Sequence, residues 1–271
     1  MQTYAKAQYR TATPAKYVKP SGTAPYSRLD NNAENCYNLA IGTLYPQREV
    51  ITINNVKAII FDMDGTLLDS LSVWADSDRE FITGLGMDYD SKHSFAMKKM
   101  HFDSACEYLV REFSLSLTPQ ETGERILQIV EDHYINGVPL KDGAKEILTA
   151  AKNAGIKMCV ATSNKKSLAE STLKAKGIMD YMEFVITSDE VGGGKETPEI
   201  FLKAAERLGT APEEAVVFED SIHAVLSAKS AGFRVVGIYD PLCPEEFAEI
   251  EKNADRTIKS FNELLKGNDC K

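Results

Sequence analysis

The sequence has few cysteines, no long apolar segment and no excess of basic residues, and each absence narrows the possible functions. Its five cysteines among 271 residues are scattered, odd in number and form no C-x-x-C pair. This pattern argues against a disulfide framework or a zinc site and is typical of a reducing compartment. No apolar run approaches the roughly 20 residues of a membrane-spanning helix, and the start lacks the apolar region of a secretory signal. We therefore expect a cytoplasmic protein with no membrane partner.

Acidic residues outnumber basic residues by 40 to 31, which gives a formal net charge of -9. Nucleic acids and anionic membranes attract basic surfaces, so we do not expect a nucleic-acid partner. The hydrophobic fraction of 43% provides an ample core for one large domain or two modest ones. The sequence carries no signal for the oligomeric state.

Residues 1–55 differ in composition from the rest of the chain. The first 49 residues are rich in Tyr, Thr, Ala, Pro and Asn and show little helical or strand periodicity. Three interpretations stay open for this extension: a disordered tail, a transit peptide, or a start assigned too far upstream. The third rests on Arg48, Glu49 and Val50, whose codons can resemble a bacterial ribosome-binding site just before the ordered pattern begins.

From Val56 onwards, short apolar runs alternate with helical stretches. The runs predicted as strands are Val56–Phe61, Met158–Thr162, Phe184–Thr187, Ala215–Phe218 and Arg234–Ile238. The predicted helices of this part are Gly143–Asn153, Lys166–Lys176, Pro198–Leu208 and Ile222–Ala231. Near-continuous apolar strands separated by helices indicate a parallel sheet covered on both faces. The predicted fold class is therefore α/β, with a Rossmann-like parallel sheet and helices on both sides.

Residues 71–137 interrupt this alternation because they contain no convincing strand. The helices predicted here are Leu71–Leu85, about Ser94–Phe113, and Pro119–Tyr134. The last begins with a capping box, in which Thr118 is the N-cap and Glu121 follows three residues later. An all-helical insert after the first strand predicts a small cap domain, with the core formed by residues 56–70 and 138–271.

Polar and charged side chains follow four of the predicted strands. They are Asp62 and Asp64 after the first strand, Thr162, Ser163 and Asn164 after the second, Lys195 beyond the third, and Glu219 and Asp220 after the fourth. In an open parallel sheet, ligands bind outside the carboxyl ends of the strands. We therefore expect these side chains to converge on one edge of the sheet.

The four carboxylates of this edge repel one another unless a cation compensates them. Oxygen ligands suit a hard cation, and Mg²⁺ is the expected one because it combines a few carboxylates with waters and a phosphate oxygen. Lys195 adds positive charge, and Thr162 with nearby backbone N–H groups can hydrogen-bond the oxygens of an anion. A carboxylate nucleophile, a metal, a lysine and hydroxyl donors together indicate phosphoryl transfer.

Four motifs in this order also give the chain a resemblance to a known family. They are "DMDGT", the threonine of "ATSN", the lysine of "GKETPEIF", and "VVFEDS". With these motifs, residues 56–240 resemble the haloacid dehalogenase-like (HAD) superfamily, in the branch with a small helical cap near the beta-phosphoglucomutase-like phosphatases. Residues 1–55 lie outside the resemblance.

The resemblance implies a role for each motif residue. Asp62 would attack phosphorus and form an aspartyl-phosphate, while Asp64 would protonate the leaving oxygen and then activate water. Mg²⁺ would be held by Asp62, the backbone carbonyl of Asp64, and Asp220, with Glu219 as an outer or auxiliary ligand. The residues implied to bind the phosphoryl oxygens are Thr162, Ser163, Asn164 and Lys195.

Four residues of the helical insert are candidates for substrate specificity. They are Lys98, Lys99, His101 and Trp74. In related proteins the loop near residues 96–104 faces the catalytic edge, although a solvated charged face is the ordinary role of such a run. Trp74 stands about where the related mutases carry a histidine, and its ordinary role is packing. Its presence counts against mutase activity.

The sequence therefore predicts a Mg²⁺-dependent phosphatase whose substrate is a small phosphate ester, with sugar phosphates as the expected class. A sugar phosphomutase of the beta-phosphoglucomutase type is the nearest alternative. A catalytically silent binding or regulatory module with the same fold is the alternative of another class.

Overall fold

The structure, a computed structural model, describes residues 40–41, 51–52, 56–97 and 100–265. Its main feature is a six-stranded parallel sheet in the order β5-β4-β3-β6-β7-β8. The strands of this sheet are β3 (Ala58–Phe61), β4 (Lys157–Thr162), β5 (Phe184–Thr187), β6 (Ala215–Glu219), β7 (Arg234–Ile238) and β8 (Arg256–Ile258). A separate antiparallel pair consists of β1 (Ala40–Ile41) and β2 (Ile51–Thr52).

Helices lie between the strands of the main sheet, as in other α/β folds. Those before β4 are α1 (Val73–Gly84), α2 (Ser91–Met97), α3 (Phe102–Glu112), α4 (Pro119–Asp132) and α5 (Ala144–Asn153). Those that follow are α6 (Lys166–Ala175), α7 (Ser188–Val191), α8 (Glu199–Leu208), α9 (Ile222–Ser230), α10 (Pro244–Asn253) and α11 (Asn262–Leu265). A π-helical turn, His133–Gly137, continues directly from α4.

The central strand β3 has apolar side chains on both faces, and all four of its residues are buried. Ile59 and Phe61 belong to one core cluster with residues of α5 and α6, whereas Ile60 belongs to a second cluster with residues of α8 and α9. Successive side chains of a strand point to opposite faces, so a continuous apolar strand requires a helical layer on each side. The predicted α/β class with a doubly covered parallel sheet is confirmed.

The strand order places β3 between β4 and β6, which come later in the sequence on opposite sides of it. The chain therefore reverses its direction of winding at β3. Loops that leave neighbouring strands at such a switch point separate and open a crevice at their carboxyl ends. The segments after β3, β4 and β6 carry most of the predicted strand-end residues, and Lys195 lies in the segment after β5.

Residues 71–137 contain helices α1–α4 and, within their described part, no strand. The capping box of α4 is present, because Thr118 Oγ1 accepts from the Glu121 backbone nitrogen at 3.2 Å and the Glu121 carboxylate accepts from the Thr118 backbone nitrogen at 2.8 Å. The prediction of one helix over about Ser94–Phe113 is wrong. Helix α3 begins only after His101, whose extended backbone (φ -70°, ψ 155°) separates it from α2.

Two further features were not predicted. The edge strand β8 has three residues, too few to give a clear apolar run in the sequence. The pair of β1 and β2 lies in the N-terminal extension, whose remaining residues, and with them the three interpretations given for residues 1–55, fall outside the described residues. Among the helices that the structure describes, none combines the length and apolar character needed to cross a bilayer.

Candidate active site

The loop after β3 places two aspartates at the switch point of the sheet. The Asp62 backbone nitrogen donates to the Phe218 carbonyl at 2.9 Å, which continues the pairing of β3 with β6 by one residue. The Met63 carbonyl then accepts from the backbone nitrogens of Leu67 and Leu68 at 3.0 and 2.9 Å, which closes a tight turn. The turn begins at Met63, a buried residue that separates Asp62 and Asp64 in the chain.

Lys195 is buried between two carboxylates, with a side chain only 2% exposed. Its ammonium group contacts Asp62 Oδ1 and lies 2.8 Å from Glu219 Oε1. The other carboxylate oxygen of Glu219 accepts from the Ser221 backbone nitrogen at 2.8 Å. Burying a lysine is costly unless anionic partners compensate it, so this arrangement holds the ammonium in one place.

Three buried carboxylates, those of Asp62, Glu219 and Asp220, offer oxygens that all lie within 4.8 Å of one another. With Lys195 as counter-ion, the group keeps two formal negative charges when all four side chains are ionised. A hard divalent cation such as Mg²⁺ matches both this charge and the all-oxygen donor set. The residues therefore fit a divalent metal ion.

Gly65 allows Asp220 to approach the loop after β3. Its φ is +77°, and a Cβ at this position would lie 2.2 Å from Asp220 Oδ2 and 2.7 Å from Asp220 Cγ. Real Cβ atoms do not approach other atoms so closely, so only glycine fits this turn. The close approach of the loop after β6 to the loop after β3 therefore depends on glycine, which has no side chain, at position 65.

Gly65→Ala is expected to displace Asp220 and to reduce the affinity for Mg²⁺ at least about tenfold, because one carboxylate leaves the cluster. Gly86→Ala is the matched control, since Gly86 has φ +79° but open space around its Cβ position. The positive φ alone costs an alanine about 1–2 kcal/mol of stability in either variant. Calorimetric titration with Mg²⁺ and denaturant unfolding measure both effects. Equal cation affinity in the two variants would contradict the displacement of Asp220.

The Asp64 carboxylate lies apart from this cluster and accepts three hydrogen bonds. Ser70 Oγ donates to Oδ1 at 2.7 Å, the Tyr134 hydroxyl donates to Oδ1 at 2.6 Å, and Asn164 Nδ2 donates to Oδ2 at 2.7 Å. Tyr134 was not among the predicted site residues. It is an aromatic residue near the end of a predicted helix, 70 positions from Asp64 in sequence, and nothing in the sequence pattern signals the contact.

The three predicted phosphate-binding residues at the end of β4 differ in their exposure to solvent. Thr162 is fully buried, and its Oγ1 accepts from the Asn164 backbone nitrogen at 3.0 Å. The Asn164 side chain faces Asp64 as described, while Ser163 is exposed with its Oγ 3.2 Å from Ser188 Oγ. Asn164 thus contacts Asp64 and is itself bound by Thr162, whereas Ser163 faces Ser188 at the start of α7.

The structure describes two of the four residues predicted for substrate specificity, Trp74 and His101. Trp74 is partly buried, and its ring meets the edge of Phe102 at a centroid distance of 5.8 Å, which is a packing contact. His101 is exposed where α3 begins. Lys98 and Lys99 lie outside the described residues.

The family of the chain follows from a comparison with protein-family models. Residues 59–238 match the model of the haloacid dehalogenase-like hydrolases, which covers more than half of the chain. The chain belongs to the haloacid dehalogenase-like hydrolase family. The matched range contains every strand-end residue of this site, so the family assignment and the geometry refer to the same part of the molecule.

Curated relatives of this haloacid dehalogenase-like hydrolase include named phosphatases. A phosphorylated carbohydrates phosphatase of Thermotoga maritima is 29% identical over 188 residues, which are 69% of this chain and 87% of the relative. The bifunctional riboflavin kinase/FMN phosphatase of Arabidopsis thaliana is 26% identical over 211 residues, 77% of this chain. This chain spans only about half, 54%, of the length of that bifunctional enzyme.

Solved structures agree with the family and the fold. The crystal structure of a Thermotoga maritima protein provisionally assigned as a beta-phosphoglucomutase superposes with a TM-score of 0.71 at 27% sequence identity. The match covers 78% of this chain and 97% of that protein. The resemblance deduced from the four motifs is therefore confirmed.

Proposed function

We propose that this protein is a Mg²⁺-dependent phosphatase of small phosphorylated metabolites that works through an aspartyl-phosphate on Asp62. Its family and its phosphatase relatives make it a phosphoric monoester hydrolase of the haloacid dehalogenase-like type. The observation that carries the finer proposal is the buried ammonium of Lys195 between Asp62 and Glu219, with Asp220 beside them. This arrangement combines a carboxylate nucleophile with fixed positive charge for a phosphoryl group.

In the first step, a carboxylate oxygen of Asp62 attacks phosphorus and the bond from phosphorus to the ester oxygen breaks. Asp64 gives its proton to that oxygen, so the alcohol leaves neutral and Asp64 becomes a carboxylate. Lys195 stabilises the negative charge of the phosphoryl oxygens during the transfer, because its ammonium group already lies against Asp62. Thr162 and the neighbouring backbone N–H groups bind the same oxygens.

In the second step, water attacks phosphorus and the acyl-phosphate bond to Asp62 breaks. Asp64 takes the proton of the water and returns to its acid form, while inorganic phosphate leaves and the Asp62 carboxylate is restored. One group thus acts first as acid and then as base, which requires a fixed orientation toward both the leaving oxygen and the water. Only Met63 separates Asp64 from Asp62 in the chain, so both residues belong to the loop after β3, which supports this assignment.

The residues suited to hold Mg²⁺ are Asp62, Asp220 and the backbone carbonyl of Asp64. Glu219 belongs to the same carboxylate group, but both of its oxygens already accept hydrogen bonds, from Lys195 and from the Ser221 backbone. We therefore assign Glu219 mainly to positioning Lys195. The metal, when bound, neutralises charge on the phosphoryl oxygens and on the crowded carboxylates.

We propose sugar phosphates as the substrate class, by analogy with the relative named for phosphorylated carbohydrates. Helices α1–α4 are proposed to form a cap that closes over the loops after β3, β4 and β6 and excludes water from the first step. In such a cap, Lys98, Lys99 and His101 would select the substrate, whereas Trp74 would pack against Phe102. The scattered cysteines favour a cytoplasmic location for this enzyme.

A sugar phosphomutase is the second candidate, because a structural neighbour carries that provisional assignment. In a mutase, the phosphoryl group of Asp62 passes to a second sugar hydroxyl instead of to water. Trp74 stands about where the related mutases carry a histidine, and its ring packs against Phe102, which supports the phosphatase. A silent binding module is less well supported, since all the charged residues of the four motifs are present.

A panel of phosphate esters, assayed with an excess of Mg²⁺ and again after chelation, tests the proposal. We expect release of inorganic phosphate from sugar phosphates and a loss of at least about a hundredfold on chelation, because the phosphoryl charge is then poorly compensated. Isomer formation without phosphate release would identify a mutase. No turnover of any ester by folded protein would favour the binding module.

A further inference from the structure

We propose that Tyr134 is a positioning residue for the acid/base group, holding the Asp64 carboxyl in its working orientation through a direct hydrogen bond. The proposal rests on the proposed function, because the orientation of the Asp64 carboxyl matters for turnover only if Asp64 acts as the acid and base of phosphoryl transfer. Tyr134 lies outside the four sequence motifs. The proposed role is based on the tertiary structure, in which its hydroxyl lies 2.6 Å from Asp64 Oδ1.

The hydrogen bonds of Asp64 come from three different parts of the chain. Ser70 precedes helix α1, Tyr134 follows helix α4, and Asn164 follows strand β4. The two hydroxyls share Oδ1, and the Asn164 amide nitrogen binds Oδ2 and also lies 3.2 Å from the Tyr134 hydroxyl. Donors on both oxygens fix the rotation of the carboxyl group, which a single donor does not achieve.

Tyr134 lies in the π-helical turn His133–Gly137. Such turns are rare and are frequently found at functional sites, because the wider turn changes the direction of a side chain. This one is anchored on two sides: Lys176 donates to the Ile135 carbonyl at 2.9 Å, and the His133 ring lies 2.7 Å from the Glu80 carboxylate. The position of the Tyr134 hydroxyl is therefore set by helices α1, α4 and α6 together.

The Tyr134 side chain is only 1% exposed, and its ring packs in the apolar core while its hydroxyl reaches Asp64. Burial, followed by the negative charge of Asp64, raises the pKa of Tyr134 well above its ordinary value. A phenol hydroxyl is in any case a neutral donor near pH 7, because its ordinary pKa is about 10. A neutral donor fits a partner that must cycle between carboxylic acid and carboxylate.

Tyr134→Phe tests the role because it removes the hydroxyl and keeps the ring in the core. A hydrogen bond to a charged group is worth on the order of ten- to a hundredfold in an equilibrium constant. We expect kcat/KM for an alkyl phosphate to fall by about that factor. For an aryl phosphate with a good leaving group we expect a loss at least about fivefold smaller, since that oxygen needs little protonation.

Tyr108→Phe is the matched control. Tyr108 also belongs to the helical residues 71–137, but its hydroxyl lies 2.9 Å from His93 and does not contact Asp64. It should leave both kcat/KM values within about twofold of wild type. The double variant Asp64→Asn/Tyr134→Phe should be no slower than Asp64→Asn alone, because Tyr134 acts through Asp64. Thermal unfolding checks that every variant is folded.

Each outcome supports or overturns a distinct statement. A wild-type rate in Tyr134→Phe, or an equal loss on alkyl and aryl esters, overturns the positioning role and leaves the phosphatase proposal intact. An additional loss in the double variant also overturns it, because Tyr134 would then act independently of Asp64. If the wild type hydrolyses no ester, the proposed function fails first, and the positioning role falls with it.

Discussion

Asp62→Asn is expected to lower phosphate release by roughly 10⁴-fold or more, because an amide does not form the covalent bond to phosphorus. The variant should fold, since the asparagine has nearly the same shape and Glu219 remains beside the Lys195 ammonium. Initial rates with Mg²⁺ and saturating ester measure the effect. Rapid quenching followed by mass spectrometry should detect a phosphorylated wild-type protein and no phosphorylated variant.

Asp69→Asn is the matched control for this prediction. The substitution is the same, Asp to Asn, but it is made seven positions later in the chain, at a residue that is exposed at the end of the same loop. We expect it to retain activity within about twofold, because solvent screens the charge of an exposed side chain. If Asp62→Asn keeps the wild-type rate while the protein is folded, the nucleophile has been assigned to the wrong residue.

Lys195→Met is expected to affect both stability and turnover. The change removes the ammonium from between two buried carboxylates, and breaking a buried ion pair costs about 3–5 kcal/mol. We therefore expect the free energy of unfolding to fall by about that amount in metal-free buffer. Turnover should fall at least about a hundredfold, because the phosphoryl oxygens lose a fixed positive charge.

Denaturant unfolding with and without Mg²⁺ separates the two effects of this substitution. A bound cation supplies positive charge at the same carboxylates, so Mg²⁺ should restore part of the lost stability but little of the turnover. Lys203→Met is the control, because its pair with Glu206 is more than half exposed and should contribute less than about 1 kcal/mol. Equal stability of the Lys195 and Lys203 variants would contradict the structural role of the buried ammonium.

The sequence predicted the sheet well because each central strand is a short apolar run that ends at polar residues. The four strand-end groups come together for the same reason: parallel strands of similar length end at one edge. The predictions that were wrong or missing have local causes. The helix over about Ser94–Phe113 does not continue through His101, whose backbone is extended, and the three-residue strand β8 has too few residues for a periodic signal.

The contacts of the individual side chains were much harder to predict than their location. Lys195 was placed at the correct edge, but its partner Asp62 is 133 positions away in sequence and its second partner Glu219 is 24 positions away. Asn164 was predicted to bind phosphate, and its amide contacts Asp64 in the structure, so its role at the phosphate stays a prediction. Sequence spacing gives no information on such pairs, because folding sets the distance between them.

The sequence by itself determined the α/β class, the family motifs and the edge of the sheet at which the motif residues meet, because these depend on local pattern. Only the tertiary structure decided that Lys195 is buried between Asp62 and Glu219 and that the Tyr134 hydroxyl donates a hydrogen bond to Asp64. These contacts join residues from separate elements, and they exist because packing brings the loops after β3 and β6 and the turn after α4 to one place.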